Sequence, residues 1–136
     1  MNRILVIDDE LNITEMIREV LTRFGYTVRT AADGRQGMEQ LKKSVYDLVV
    51  TDMCMPDLEG AQIVRFIRNS ERCHTPVIGI SGTPWLFEQT DCDAVLPKPF
   101  HLKELVDTVD HLMRQELTPG VGGSALSRPF TTSSAA

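Results

Sequence analysis

Short apolar runs alternate along this chain with stretches in which apolar residues recur every three or four positions. Arg3-Ile4-Leu5-Val6-Ile7 is the first run and predicts a buried strand. From Asn12 onward Ile13, Met16, Ile17, Val20, Leu21 and Phe24 form one helical stripe, with Asn12 and Glu15 as a capping box and Gly25 as a stop. Thr27-Val28-Arg29-Thr30 alternates and predicts a second, less buried strand. Asp33, with Gln36 three residues on, caps a second helix that turns Gly37, Met38 and Leu41 inward. A glycine on that inner face has two readings, close approach to a sheet or a tolerated weak spot in the helix. Asp47 to Asp52 carries Leu48, Val49 and Val50 in succession, as a central strand covered on both faces requires. Ile63, Val64 and Ile67 mark a third helix ending near Asn69, and Pro76-Val77-Ile78-Gly79-Ile80 a fourth strand delivering Ser81-Gly82-Thr83. Ala94-Val95-Leu96 is a short fifth strand, followed by a last helix carrying Leu102, Leu105, Val106, Val109, Leu112 and Met113. Strand and helix alternate throughout, which predicts an α/β fold, a doubly wound parallel sheet with helices on both faces.

Two segments break the pattern. Ser81 to Asp93 spans 13 residues and carries Pro84 near its start, so any helix between the fourth and fifth strands is shortened or absent. Trp85, Leu86 and Phe87 stand in a row there; one or two of them are expected to plug the gap, the alternative being an aromatic contact for a partner. Residues 118–136 are rich in Gly, Ser, Thr, Ala and Pro and carry a single charge, Arg128. That composition predicts a flexible tail or linker after a domain of residues 1–117, with Leu126 and Phe130 as its candidate anchors.

Composition narrows the class. The chain has 136 residues, 42% hydrophobic, which suits one core, and a net charge of −5 argues against a nucleic-acid surface in this domain. No apolar run is long enough to span a membrane, and the first strand leaves no room for a signal peptide, so a cytoplasmic protein is expected. Cys54, Cys73 and Cys92 are odd in number and lack metal-site spacing, which fits a reducing compartment.

Chemistry enters at the strand ends. The first strand runs into Asp8-Asp9-Glu10, the third ends at Asp52, the fourth at Ser81 and the fifth at Lys98. In open parallel sheets the carboxyl ends of the strands form the ligand crevice. If the first and third strands are neighbours, Asp8, Asp9 and Asp52 converge, and clustered ionised carboxylates need a positive partner. Mg²⁺ is the natural one, since it takes one or two carboxylates and leaves room for a phosphoryl oxygen. Lys98 adds a second positive charge and Ser81 a hydroxyl donor. These parts suit phosphoryl transfer with Asp52 as nucleophile. Taken singly, each has a structural reading: the aspartates as a helix N-terminal charge pair, Lys98 as a surface lysine, Ser81 as a turn residue.

With these residues in place, the sequence resembles a receiver domain of the two-component response regulators, of which the single-domain chemotaxis regulator is an example. Ile-Asp-Asp-Glu at 7–10, Thr-Asp-Met-Cys-Met-Pro-Asp-Leu-Glu-Gly at 51–60, Ser81-Gly82 and Lys98-Pro99-Phe100 carry the resemblance, which covers residues 3 to about 116. It implies a flavodoxin-like five-stranded sheet of order 2-1-3-4-5. It implies that Asp52 is phosphorylated by a histidine kinase or a histidine phosphotransfer protein, and that Asp8 or Asp9, Asp52 and the Cys54 backbone carbonyl bind Mg²⁺. It further implies that Ser81 swings to the phosphoryl group, that Lys98 pairs with it, and that the Lys98-Pro99 bond is cis. An output protein, unidentified by the sequence, would read the resulting conformational change.

The sequence departs from the family pattern in two places. Val95 stands where many relatives carry an aromatic residue three positions before the lysine, which removes the ring that turns inward as the hydroxyl moves. The span from Ser81 to Lys98 is roughly five residues shorter than usual, more than one turn of helix, so a loop in its place is itself a candidate switch. Two other classes share some of these features. A Mg²⁺-dependent phosphohydrolase usually has a second acid two residues after the nucleophile, where this chain has Cys54. A phosphorylation-independent receiver-like protein-binding module is favoured by Val95 and the shortened span and disfavoured by the full set Asp8, Asp9, Asp52, Ser81 and Lys98. No enzyme beyond the domain's own phosphotransfer and dephosphorylation is expected, and no direct DNA-binding output, since nothing with a folded pattern follows residue 117.

Overall fold

The structure of the chain, a computed structural model, describes residues 2–84, 91–116 and 130–131. Its elements run in chain order β1 (Arg3–Ile7), α1 (Leu11–Arg23), β2 (Thr27–Ala31), α2 (Gly34–Lys43), β3 (Leu48–Asp52), α3 (Gly60–Arg68), β4 (Val77–Ser81), β5 (Ala94–Pro97), α4 (Leu102–Glu116) and β6 (Phe130–Thr131). All strand pairs are parallel, and β1 to β5 take the expected order β2-β1-β3-β4-β5. Beyond that expectation, Phe130–Thr131 add a two-residue sixth strand against Ala94 and Val95 of β5. Part of the segment assigned to the tail is thus paired with the sheet; residues 117–129 and 132–136 lie outside the described residues. Between β4 and β5 the described residues 82–84 and 91–93 hold no α-helix. Residues 85–90, with Trp85, Leu86, Phe87 and most of the candidate switch loop, lie outside them.

The central strands are buried on both sides, so their apolar residues sort by alternation onto two faces. Ile4, Val6, Leu48, Val50, Ile78, Ile80 and Leu96 face α1 and α4, meeting Ile17, Leu21, Leu105 and Val109. Leu5, Ile7, Val49, Val77 and Val95 face α2 and α3, meeting Ile63, Val64 and Ile67. Val95 is buried in this second half. Gly37 explains how closely α2 lies: a Cβ there would stand 2.5 Å from Ile7 Cδ1.

Helix ends follow the side-chain chemistry in most cases. Asp33 accepts from Gln36 N at 2.8 Å and caps α2 as the sequence predicts, and α1 stops at Phe24 just before Gly25. The start of α1 differs. The cap is Glu10, two residues before Asn12, because the Glu10 carbonyl already accepts from Ile13 N and Thr14 N. Arg68, at the end of α3, uses all five of its N–H donors. They reach the carbonyls of Cys73 and Thr75, the Asp91 carbonyl twice, and the Asp93 carboxylate. This one side chain ties α3 to the segments entering β4 and β5.

Candidate functional site

The sheet register brings the strand ends level. Ile7 pairs with Thr51, so one residue further Asp8 stands beside Asp52; Ser81 pairs with Pro97, and the Lys98 N–H donates to the Ser81 carbonyl at 2.8 Å. Asp8 is 1% exposed, Asp52 3% and Ser81 1%, so three polar side chains are buried at one edge of the sheet. The floor beneath them is tight. A Cβ at Gly60 would lie 2.5 Å from the Asp52 carbonyl oxygen, and only glycine lets α3 begin against the backbone of the β3 end.

Lys98 reaches into this edge from β5. Its Nζ lies 2.9 Å from Glu10 Oε1, 3.3 Å from Asp52 Oδ2 and 3.7 Å from Asp8 Oδ2. Asp52 Oδ1 is held separately, accepting from Cys54 N at 3.1 Å, so one carboxylate oxygen is anchored and the other faces the lysine. Asp8 Oδ1 accepts from Glu10 N at 2.9 Å, while Asp8 Oδ2 is buried with no hydrogen-bond partner. Ser81 Oγ accepts from Thr83 N at 2.9 Å and lies 3.3 Å from Thr83 Oγ1. The Lys98-Pro99 bond is cis.

The charges disturb one another. Burial, reinforced by the neighbouring Asp52 and Glu10 charges, pushes the Asp8 carboxyl up to about 6 in spite of the Glu10 N–H and Lys98. Burial acts to depress Lys98, but its bond to Glu10 and the charges of Asp52 and Asp8 outweigh that and push it up, so it stays an ammonium. The loop after β3 is fixed from outside the site. Asp57 accepts from Arg35 N at 2.9 Å and Gly34 N at 3.1 Å, which holds its carboxyl below the ordinary value and seats the loop on the start of α2.

Of the residues expected here, Asp8, Asp52 and Lys98 meet directly, Cys54 lies beside Asp52, and Ser81 occupies the adjoining strand end. Asp9 is exposed and stands outside the carboxylate group. Its place is taken by Glu10: carboxylate oxygens of Asp8, Glu10 and Asp52 all lie within 4.8 Å of one another. In the sequence Glu10 follows the strand end by three residues and has the place of a helix-start acid, and its membership of the Asp-Asp-Glu run is the one signal that points to the site. The donor set is all carboxylate oxygen, includes an Asp8 Oδ2 that no hydrogen bond satisfies, and so fits a hard divalent cation such as Mg²⁺. Cys54 is exposed, Cys73 half-buried and Cys92 buried, and none is in a disulfide.

Residues 4–110 match the family described as response regulator receiver domain. Among curated relatives, the response regulator ArlR of Staphylococcus aureus is 29% identical over 121 residues, covering 85% of this chain and 54% of its own length. The chain therefore spans about half the length of the curated relatives it matches. Among solved structures, TrrA of Thermotoga maritima, in complex with Mg²⁺-BeF, is 31% identical with a TM-score of 0.75, covering 82% of this chain and 99% of that one. The chemotaxis response regulator CheY4 of Vibrio cholerae is 28% identical with a TM-score of 0.74, covering 82% and 98%. No described helix is long and apolar enough to cross a membrane.

Proposed function

Since the chain belongs to the response regulator receiver domain family of two-component systems, we propose that it takes a phosphoryl group onto Asp52 and signals by changing conformation. The observation that carries this is the setting of Asp52. One of its carboxylate oxygens is anchored on the Cys54 N–H and the other faces Lys98 across 3.3 Å at a buried strand end. A free Asp52 oxygen attacks phosphorus in line. The new O–P bond forms as the bond from phosphorus to the donor breaks, and the electron pair leaves with the donor: an imidazole nitrogen of a histidine kinase or phosphotransfer protein, or the oxygen of acetyl phosphate. Lys98 neutralises one phosphoryl oxygen. Ser81 donates its hydroxyl to another once it turns from Thr83. Asp8, Glu10 or Asp9, Asp52 and the Cys54 carbonyl are the groups that would hold Mg²⁺, which when bound offsets the charge of the transferring group.

The phosphodonor would be a histidine kinase or phosphotransfer protein in the cytoplasm, and the reader an output protein. Residues 1–117 would be the receiver unit and 118–136 a tail or linker, part of it laid on β5. The domain would act on no substrate other than its own phosphoryl group. The test is intact-mass spectrometry after incubation with acetyl phosphate, with and without Mg²⁺, on the wild type and Asp52→Asn. One labile adduct that needs both Mg²⁺ and Asp52 is expected. Labelling of Asp52→Asn would overturn the nucleophile, and no adduct despite Mg²⁺ binding would point to a phosphorylation-independent binding module.

A further inference from the structure

Glu10 stands at the N-cap of α1, yet its carboxylate makes no capping hydrogen bond. The cap is formed by its carbonyl, through Ile13 N and Thr14 N. The side chain instead spans 88 positions of sequence to take the shortest of the three contacts to Lys98, 2.9 Å against 3.3 Å to Asp52 and 3.7 Å to Asp8. The lysine is 22% exposed and Glu10 58%, so the pair lies at the mouth of the site, with the two aspartates behind it. Its backbone is tied to the same place, since Glu10 N donates to Asp8 Oδ1. Glu10 is thus a competitor for the cation that a phosphoryl group on Asp52 would recruit.

We propose that Glu10 is a latch: it holds Lys98 at the mouth of the site until Asp52 accepts a phosphoryl group, and release of this ion pair is part of phosphorylation. The proposal rests on the reading of Asp52 as phosphoacceptor. Turning Lys98 toward a phosphoryl oxygen lengthens its bond to Glu10. The freed carboxylate is left at a helix N-terminus, where the dipole and solvent accommodate it, so the latch opens at modest cost. Glu10 is a positioning residue here, acting through Lys98.

Three proteins decide it: wild type, Glu10→Gln and Glu10→Asp, with initial labelling rates by acetyl phosphate measured across a Mg²⁺ titration. Glutamine removes the charge; aspartate keeps it on a side chain one methylene shorter, which withdraws it from Lys98. Both variants are expected to label about fivefold faster at saturating Mg²⁺, the fold-change of a partly exposed ion pair, whatever share Glu10 takes in holding the cation. Acceleration in Glu10→Gln alone would overturn the latch and assign the effect to general repulsion of the phosphodonor. Labelling at saturating Mg²⁺ that is slower than wild type, or unchanged, would also overturn it. A wild type that takes no label while it binds Mg²⁺ would instead refute the phosphoacceptor reading, and the latch with it.

Discussion

Replacing Asp8 by asparagine probes the electrostatic strain of the site. Asp8 Oδ1 keeps its bond from Glu10 N in the variant, and the amide takes the place of Oδ2, which has no hydrogen-bond partner and lies 3.7 Å from Lys98 Nζ. In the wild type the Asp8 carboxyl is raised from 3.8 to about 6 by burial first and by its acidic neighbours after. The folded state therefore binds its proton more tightly than the unfolded chain does. Stability from this group is fully present below pH 3.8 and is lost as the pH rises to about 6. Above that, ionised Asp8 costs the fold about 3 kcal/mol, from some two pH units at 1.36 kcal/mol each. Lys98 does not blur this window, because its raised pKa withdraws stability only in strong alkali.

Urea denaturation without Mg²⁺ reads the effect. At about pH 8 Asp8→Asn should unfold at a urea concentration roughly 2 M higher than the wild type, for a slope near 1.5 kcal/mol per M, and the two should converge by about pH 4. Adding Mg²⁺ at about a hundred times its dissociation constant should stabilise the wild type by about 2.7 kcal/mol and the variant far less. A variant less stable than the wild type at pH 8, or one that keeps the wild-type slope between pH 4 and 6, would refute the reasoning.

Other substitutions test separate parts of the structure. Lys98→Ala leaves Asp8 and Asp52 facing each other without their cation; it should lower stability by about 2–3 kcal/mol at neutral pH, with most of the loss regained on adding Mg²⁺ in a thermal melt. Gly37→Ala drives a methyl into Ile7 and should cost about 1–3 kcal/mol in urea titration, part of it recovered by Ile7→Val, which removes the atom it strikes. Arg68→Ala should cost about 2–3 kcal/mol and speed amide exchange around residues 73–75 and 91–93; Arg68→Lys should recover little, because an ammonium cannot serve all these acceptors at once.

Much of this molecule is written in local pattern. Five strands and four helices follow from apolar spacing, because each strand faces helices on both sides and each helix faces the sheet along one stripe. Asp8, Asp52, Ser81 and Lys98 were legible because a parallel sheet places successive strand ends at one edge. The parts that were not legible depend on long-range geometry. Asn12 with Glu15 has the form of a capping box, yet the turn after Asp8 starts the helix earlier, at Leu11. Glu10 belongs to the site only because β5 brings Lys98 back to β1. Arg68 collects acceptors as far as 25 positions away, which no periodicity records. The pairing of Phe130–Thr131 with β5 lies in a stretch whose composition predicts no element, and Phe130 as an anchor was its only trace.

The sheet is also a bulkhead. The apolar side chains on its two faces form separate compartments, one with α1 and α4, the other with α2 and α3, divided by hydrogen-bonded backbone. Truncations in opposite compartments, such as Leu21→Ala with Ile67→Ala, should add in a double-mutant cycle, whereas Leu21→Ala with Leu105→Ala, on the same side, should not. Asp52 pierces this partition. Its carbonyl presses on Gly60 at the start of α3, and its carboxylate meets Lys98, two residues from Phe100 on the α4 side. A change of charge at that aspartate would therefore meet both compartments, each by a different route.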